Sequence, residues 1–483
     1  MTFTATPLDT IPGIVDAARA EFTSGRTRTR AWRVTTLRRL RDLVEAHEDR
    51  LLDALAADFA KPRFEAWTTE IGFVMADIDH TLAHLDGWMA SDRVPTPVAF
   101  QPGSSHIVPE PVGVACVIAP WNYPVQLLLL PMIAAVSAGN AVVGKPSELA
   151  PATADAVQAL VAELADPAFA LVLGGVAETT TLLEQRFDHI LYTGNGRVAR
   201  IVMRAAAEHL TPVTLELGGK SPAIVSRKAD IDLAARRIAW GKFLNAGQTC
   251  VAPDYVLVER PVHDELVAAI GKHVTEFYGA DVEASADFAR IVNDSNFHRL
   301  EKLLHTGTVA VGGQSNADQR YIAPTVLTGV TRDDEVMGDE IFGPILPVLA
   351  VDSIDEAIAF VNADAKPLAL YTFSQDGHEN DRVLAGATSG GACVNGTIMH
   401  LSNPYLPFGG VGASGMGAYH GRFGFDTFSH RRAVHTRSTK LDPSLIYPPY
   451  TASKQKLVRR GIALADPRDV AAKLRNSLRR RKD

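Results

Sequence analysis

Ile190-Leu-Tyr-Thr-Gly-Asn-Gly-Arg-Val-Ala199 is the stretch whose reading decides the fold. Ile190–Tyr192 is a short apolar run of strand type. Gly194 and Gly196 mark a turn, and Val198–His209 carries apolar residues at helical spacing. Strand, glycine turn and helix in that order match G-x-G-x-x-G/A, in which the backbone approaches a pyrophosphate at a helix N-terminus. Gly194, Asn195 and Gly196 are therefore candidate cofactor-binding residues.

Outward from there the same unit repeats. Strands at Val112–Ile118, Ala141–Val143 and Ala168–Leu173 alternate with helices at Val125–Ala138, Ala152–Leu164 and Glu178–Gln185. This alternation predicts right-handed crossovers and a parallel sheet covered on both faces, with ligands beyond the carboxyl ends of its strands. A second alternating region runs from near Glu216 to about Gly410. Its expected strands are Ala223–Val225, Tyr255–Glu259, Val309–Val311, Ile345–Leu349, Leu368–Phe373 and Gly391–Val394. The expected fold class is α/β, with two such domains and catalytic groups drawn from both sides of one cleft. Residues 14–60 and 69–90 read as helical. Pro95, Pro97, Pro102 and Pro109 then predict an extended segment, and residues 426–437 read as an extended arm.

Bulk properties narrow the function. The 483 residues are 46% hydrophobic and 21% charged, an ordinary globular composition, and a net charge of −7 argues against nucleic acid as the main partner. The three cysteines stand far apart with no C-x-x-C, and the histidines form no H-E-x-x-H, so no metal site is expected. That cysteine usage points to a reducing, cytoplasmic compartment. Met1-Thr-Phe-Thr-Ala-Thr lacks the basic start and apolar core of a signal peptide. The most apolar run, Val125–Ala138, is shorter than the roughly 20 residues that span a bilayer, so no transmembrane segment is expected. Residues 454–483 hold eleven Lys/Arg against three Asp; this basic tail reads as a solvated helix, with attraction to an anionic surface as the lesser reading.

Cys250 stands in Asn245-Ala-Gly-Gln-Thr-Cys-Val251, a Gly-containing turn between a helix-like and a strand-like segment. Such a thiol is placed to face a ligand, whereas structural cysteines more often sit inside strands or helices. Its company is Glu216 in Leu215-Glu-Leu-Gly-Gly219, Asn122 in Pro120-Trp-Asn-Tyr-Pro124 and Glu340 in Glu340-Ile-Phe-Gly-Pro344. A thiol, two carboxylates and an amide are the parts of a covalent acyl-forming site. The usual spacing rule would assign a ribose acid about 20 residues past the glycines, at Glu216. Gly144-Lys-Pro-Ser-Glu148 offers a better clamp, with Lys145 donating to a ribose 2′-hydroxyl and Glu148 accepting from it. A carboxylate there disfavours a 2′-phosphate, so NAD is expected, with NADP as the alternative.

These segments, in this order, resemble the aldehyde dehydrogenase superfamily, and within it the class 3 branch, over essentially residues 10–450. Gly247-Gln-Thr-Cys250, Leu215-Glu-Leu-Gly-Gly-Lys220 and Pro407-Phe-Gly-Gly-Val-Gly-Ala-Ser-Gly415 carry the resemblance, and Tyr419-His-Gly421 and Phe425-Asp-Thr-Phe-Ser-His430 look like class 3 in particular. The resemblance implies that Cys250 attacks an aldehyde carbon, giving a thiohemiacetal and then a thioester. It implies that Asn122 and the Cys250 backbone N–H hold the oxyanion, and that Glu340 binds the nicotinamide ribose with Phe342 against the ring. Glu216 is the expected base for the hydrolytic water; Glu340 competes for that role. Asn195 and Ala199 replace the family's usual Ser and Gly, which would crowd the pyrophosphate. His420 and His430 are expected to be structural, Cys116 and Cys393 inert core, and Pro407-Phe-Gly-Gly a turn lining the substrate tunnel.

The expected organisation is a parallel-sheet dinucleotide-binding domain (1–91 and 110–215), an α/β catalytic domain (216–423), a small β oligomerisation arm (92–109 and 424–440) and a basic tail (441–483). The resemblance implies that the arm pairs with a second subunit in a homodimer, and an exposed strand pair would otherwise be an aggregation edge. The expected reaction is NAD(P)-dependent oxidation of an aldehyde to a carboxylic acid. The rivals are a dehydrogenase that passes the acyl group to coenzyme A, which has no need of a water-activating Glu216, and a catalytically silent binding protein on the same fold.

Overall fold

A computed structural model of the chain describes residues 4–97 and 100–463. They fall into two compact units, one holding the chain up to Leu85 and Pro111–Phe428, the other Asp86–Glu110 and the chain from Ser429.

The first unit contains both expected sheets. In one, the parallel strands Val114–Ile118, Ala141–Lys145, Phe169–Leu171, His189–Gly194 and Val213–Leu217, numbered in chain order, lie as 3-2-1-4-5. The order reverses beside Val114–Ile118, where Ile118 lies opposite both Lys145 and Tyr192. Reversal opens a crevice at the carboxyl ends, and there Pro120–Pro124 and Gly194 leave the sheet. Strands Val114–Ile118 and Ala141–Lys145 are buried at every residue, as a sheet covered on both faces requires. The crossover helix Gln126–Ala138 is likewise buried throughout, with Pro131 inside it.

The second sheet has seven strands, ordered Thr308–Val311, Thr325–Thr328, Ile345–Val351, Tyr255–Glu259, Pro222–Val225, Ala369–Phe373 and Gly391–Val394. Only the edge strand Thr308–Val311 pairs antiparallel. Cys250 and Glu340 precede the strands Tyr255–Glu259 and Ile345–Val351. They thus lie at the amino ends of the second sheet.

Several boundaries differ from the sequence reading. Glu216 lies within Val213–Leu217, a strand of the first sheet, so that sheet extends past residue 215. The helix Gly421–Thr427 belongs to the first unit, and the arm strand starts at Ser429. Gly424 explains the docking of that helix, because a Cβ there would stand 2.9 Å from the Ala134 Cβ. Residues 14–60 form parts of three helices, Ile11–Thr23, Arg30–Ala46 and Glu48–Phe59, interrupted near Gly25 (φ +81°) and at His47. Before Gly72–Met89 the chain makes a π turn, Trp67–Ile71.

The second unit carries a three-stranded sheet of Asp92–Val94, Gly103–Pro111 and Ser429–Arg437. Its last strand is mostly exposed. A helix follows at Ala452–Ala463, and the remainder of the basic tail lies outside the described residues.

Candidate active site

Strand Val213–Leu217 delivers Glu216, which pairs with Thr193 on one side and Gly415 on the other. Glu216 is 2% exposed, and neither carboxylate oxygen has a hydrogen-bond partner among the described residues. Burial pushes its pKa well above the ordinary carboxylate value. A buried carboxyl without donors costs stability, and such groups cluster where chemistry needs them. Its charge reaches both Cys250 and Tyr419.

The loop bearing Cys250 is held against its own backbone preference. Asn245 (φ +53°), Ala246 (φ +51°) and Gly247 (φ +74°) are successive left-handed residues, and each non-glycine in that region costs on the order of 1–2 kcal/mol. At Gly247 a Cβ would lie 2.2 Å from the Gly343 carbonyl oxygen. The strain is offset by hydrogen bonds. The Asn245 N–H donates to Glu65 Oε1 (3.0 Å), Gln248 Nε2 donates to the carbonyls of Asn245 and Arg290 (both 3.0 Å), and Gln248 Oε1 accepts from the Val292 N–H (3.0 Å).

Asn122, 2% exposed, joins this loop to the first sheet. Its Nδ2 donates to the Gln248 carbonyl at 3.0 Å, and its own carbonyl accepts from Asn245 Nδ2 at 2.9 Å. A primary amide has two N–H donors, so the second is available to a substrate oxygen. Cys250 is a partly exposed free thiol. It lines a cavity of about 220 Å³ whose walls are mainly apolar, among them Phe73, Leu127, Trp240, Leu244 and Phe408. Burial, then the charges of Glu340 and Glu216, push the thiol above its ordinary pKa. At rest it is protonated, so attack requires a base or loss of those charges.

Glu340 lies over Gly218, where a Cβ would meet Oε2 at 1.8 Å, and its carboxylate accepts from the Gly219 N–H. Burial is the main reason its pKa rises to about 8. Phe342 (φ +50°) sets its ring edge-on to Trp121, with centroids 5.3 Å apart. Lys220 ties this region together, donating to Asp254 Oδ2 (2.5 Å) and to the carbonyls of Val336 (3.1 Å) and Asp339 (3.0 Å).

At the first sheet's carboxyl edge, Lys145 is 4% exposed and its Nζ donates to Glu148 Oε2 at 2.6 Å. Asn195 caps the helix Gly196–Ala207, its Oδ1 accepting from the Val198 N–H at 3.0 Å. The first-turn N–H groups of Gly196 and Arg197 have no intrahelical acceptor and can meet an anion. A Cβ at Gly194 would stand 2.2 Å from the Tyr192 hydroxyl, whereas at Gly196 nothing comes nearer than Arg200 Nη1, at 3.5 Å. Asn in place of Ser thus keeps a capping oxygen, and Ala199 packs 2% exposed. These donors fit a dinucleotide.

His420 is 6% exposed, with Nδ1 3.1 Å from the Leu401 carbonyl and its ring stacked on Phe408. It lines the cavity, and burial lowers its pKa to about 4, which keeps it neutral. His430 is exposed on the arm. Cys116 is core, but Cys393 is half-buried on the edge strand Gly391–Val394 with its Sγ 3.3 Å from His400 Nδ1, which corrects the core expectation for it. Sequence reasoning missed Lys242, fully buried with its Nζ unpartnered among the described residues and lowered to about 8 by burial. It also missed Tyr123, whose hydroxyl meets Thr249 Oγ1 at 2.7 Å. Among the described residues no group of three or more His, Cys, Asp or Glu could hold a metal ion, and no helix is long and apolar enough to cross a membrane.

The aldehyde dehydrogenase family model matches residues 2–434. The chain is 46% identical over 454 residues to rat (Rattus norvegicus) aldehyde dehydrogenase family 3 member B1, covering 93% of this chain and 97% of that one. It is 45% identical over 445 residues to the dog (Canis lupus familiaris) "Aldehyde dehydrogenase, dimeric NADP-preferring", covering 92% and 98%. The substrate-bound structure of Staphylococcus aureus AldH superposes with a TM-score of 0.91 at 44% identity, covering 93% of this chain and 99% of that one. A cysteine, an amide, the buried carboxylate of Glu216 and the half-buried one of Glu340 stand at the site, and matches of this extent identify the chain as a member of the aldehyde dehydrogenase family and an NAD(P)-dependent oxidoreductase acting on an aldehyde.

Proposed function

We propose that this enzyme oxidises its aldehyde through a covalent thioester on Cys250 and releases a carboxylic acid. Once the Cys250 thiol has lost its proton to solvent, attack of the thiolate on the carbonyl carbon gives a tetrahedral thiohemiacetal, with the Asn122 amide and the Cys250 backbone N–H donating to the oxyanion. Lys145 and Glu148 would hold the adenosine ribose, Gly194, Asn195 and Gly196 the pyrophosphate, and Glu340 with Phe342 the nicotinamide riboside. The nicotinamide, bound there, supplies the acceptor for the hydride. Glu216 then takes a proton from the water that hydrolyses the thioester. Burial raises the pKa of this carboxyl, which makes its ionised form a stronger base than an ordinary carboxylate.

The observation that carries this reading is the buried, unpartnered carboxylate of Glu216 within electrostatic reach of the Cys250 thiol. Transfer to coenzyme A would leave that carboxylate without a task. The class resemblance implies medium-to-long aliphatic or aromatic aldehydes, and the mainly apolar lining of the cavity fits an apolar substrate. Glu148 favours NAD, although the dog relative is described as NADP-preferring. That relative is also described as dimeric, and the exposed strand Ser429–Arg437 supports a homodimer through the arm. Three free thiols fit a cytoplasmic location.

The test is an aldehyde panel run with NAD and with NADP, each with and without coenzyme A, and product identification. Carboxylic acid with or without coenzyme A is the expected product. Acyl-coenzyme A as the product, or no reduced dinucleotide with any aldehyde, would overturn the reading.

A further inference from the structure

Three charged residues that the reaction scheme does not use lie within one short segment behind the site. Lys61 and Glu70 form an ion pair, Nζ to Oε1 3.0 Å, with both side chains 0% exposed. Glu70 Oε2 accepts from the backbone N–H groups of Val125 (3.0 Å) and Gln126 (2.9 Å), which open the helix just after Asn122 and Tyr123. Glu65 Oε1 accepts from the Asn245 N–H, at the first left-handed residue of the nucleophile loop. Lys61 Nζ stands 3.9 Å from the centroid of the Tyr123 ring, and the Tyr123 hydroxyl meets Thr249, the residue before Cys250.

A buried ion pair is a poor source of stability, since apolar residues of similar volume commonly serve as well or better. What this cluster adds is placement. One segment, Lys61–Glu70, grips the Asn122 loop through two backbone N–H groups and the Cys250 loop through a third, with Tyr123 bridging them. We propose that Lys61, Glu65 and Glu70 act as positioning residues, a strut built from the buried Lys61–Glu70 pair and the half-buried Glu65 that fixes the oxyanion donor Asn122 relative to the nucleophile Cys250. This rests on the covalent reading of Cys250 and adds to it the source of the alignment.

The Lys61→Met/Glu70→Gln double variant removes both charges of the buried pair, leaves the half-buried Glu65 carboxyl in place, and keeps one side-chain oxygen for an N–H. Expected is a fall in kcat of about 10- to 100-fold, because displacement of reacting groups by ~1 Å has effects of that size. KM for NAD and the unfolding temperature stay near those of the parent. Alkylation of Cys250 by iodoacetamide, mapped by peptide mass spectrometry, changes in rate. A folded double variant with kcat and alkylation rate within about twofold of the parent overturns the proposal. Should that variant not fold, Tyr123→Phe decides, since it removes the contact to Thr249 without touching a buried charge. It is expected to lower kcat at unchanged KM for NAD, and an unchanged kcat overturns the proposal. Cys250→Ser keeps the two readings apart. An inert Cys250→Ser beside a fully active strut variant removes the strut alone, whereas an active Cys250→Ser removes the covalent scheme itself.

Discussion

Glu216→Gln separates acylation from hydrolysis. The substitution preserves shape at a residue only 2% exposed and replaces a carboxylate whose two oxygens are unpartnered. A positioned general base contributes about 10²–10⁴-fold, or about 2.7–5.4 kcal/mol at 1.36 kcal/mol per tenfold. The hydrolytic step should slow by that factor while acylation proceeds. Rapid mixing should then show a burst of about one reduced dinucleotide per active site, followed by a steady rate 10²–10⁴-fold below the parent. Stability moves the other way. Folding raises the carboxyl's pKa through burial, so the native state binds the proton more tightly than the unfolded chain. Ionisation of the carboxyl adds no cost below its unfolded pKa of about 4.3 and destabilises progressively as pH rises towards its folded pKa, by about 1.36 kcal/mol for each unit of elevation. The Gln variant should match the parent's unfolding temperature near pH 4 and exceed it at alkaline pH. An unchanged steady rate would transfer the base role to Glu340. A variant less stable than the parent at alkaline pH would refute the burial argument.

Asn122→Ala should lower kcat by about 10²–10³-fold, the usual loss for one oxyanion donor, and near-parental turnover would exclude it from that role. Gly218→Ala places a Cβ 1.8 Å from Glu340 Oε2. A flexible carboxylate can swing aside, so the fold should survive while KM for NAD rises about tenfold, the worth of a charged hydrogen bond; an unchanged KM would detach Glu340 from the ribose. Glu148→Ala should shift the NADP-to-NAD ratio of kcat/KM towards NADP by up to about tenfold, a small effect because the side chain is 39% exposed. An unaltered ratio would move the adenosine ribose away from Glu148.

The alternating segments from Val112 to His209 are legible because strands buried on both faces read as unbroken apolar runs between turn signals. Val213–Leu217 is harder, since Glu216 interrupts its run with a charge that no pattern predicts to be buried. Three N-terminal helices merge in the reading because apolar periodicity continues across the breaks near Gly25 and His47. At the site, Cys250, Asn122, Glu216 and Glu340 stand out through their short motifs, and the structure brings them together around Gly218, Gln248 and the cavity. Lys61, Glu65, Glu70 and Lys242 give no such signal. A charged residue among ordinary helical positions reads as solvated surface, and only the packing of distant segments buries it.

The most direct measurement is intact-protein mass spectrometry of Glu216→Gln quenched soon after mixing with aldehyde and NAD, followed by peptide mapping. The covalent account predicts an added mass equal to the substrate's acyl group on the peptide that carries Cys250, absent without NAD. An unmodified Cys250 peptide under conditions that produce the burst would contradict it.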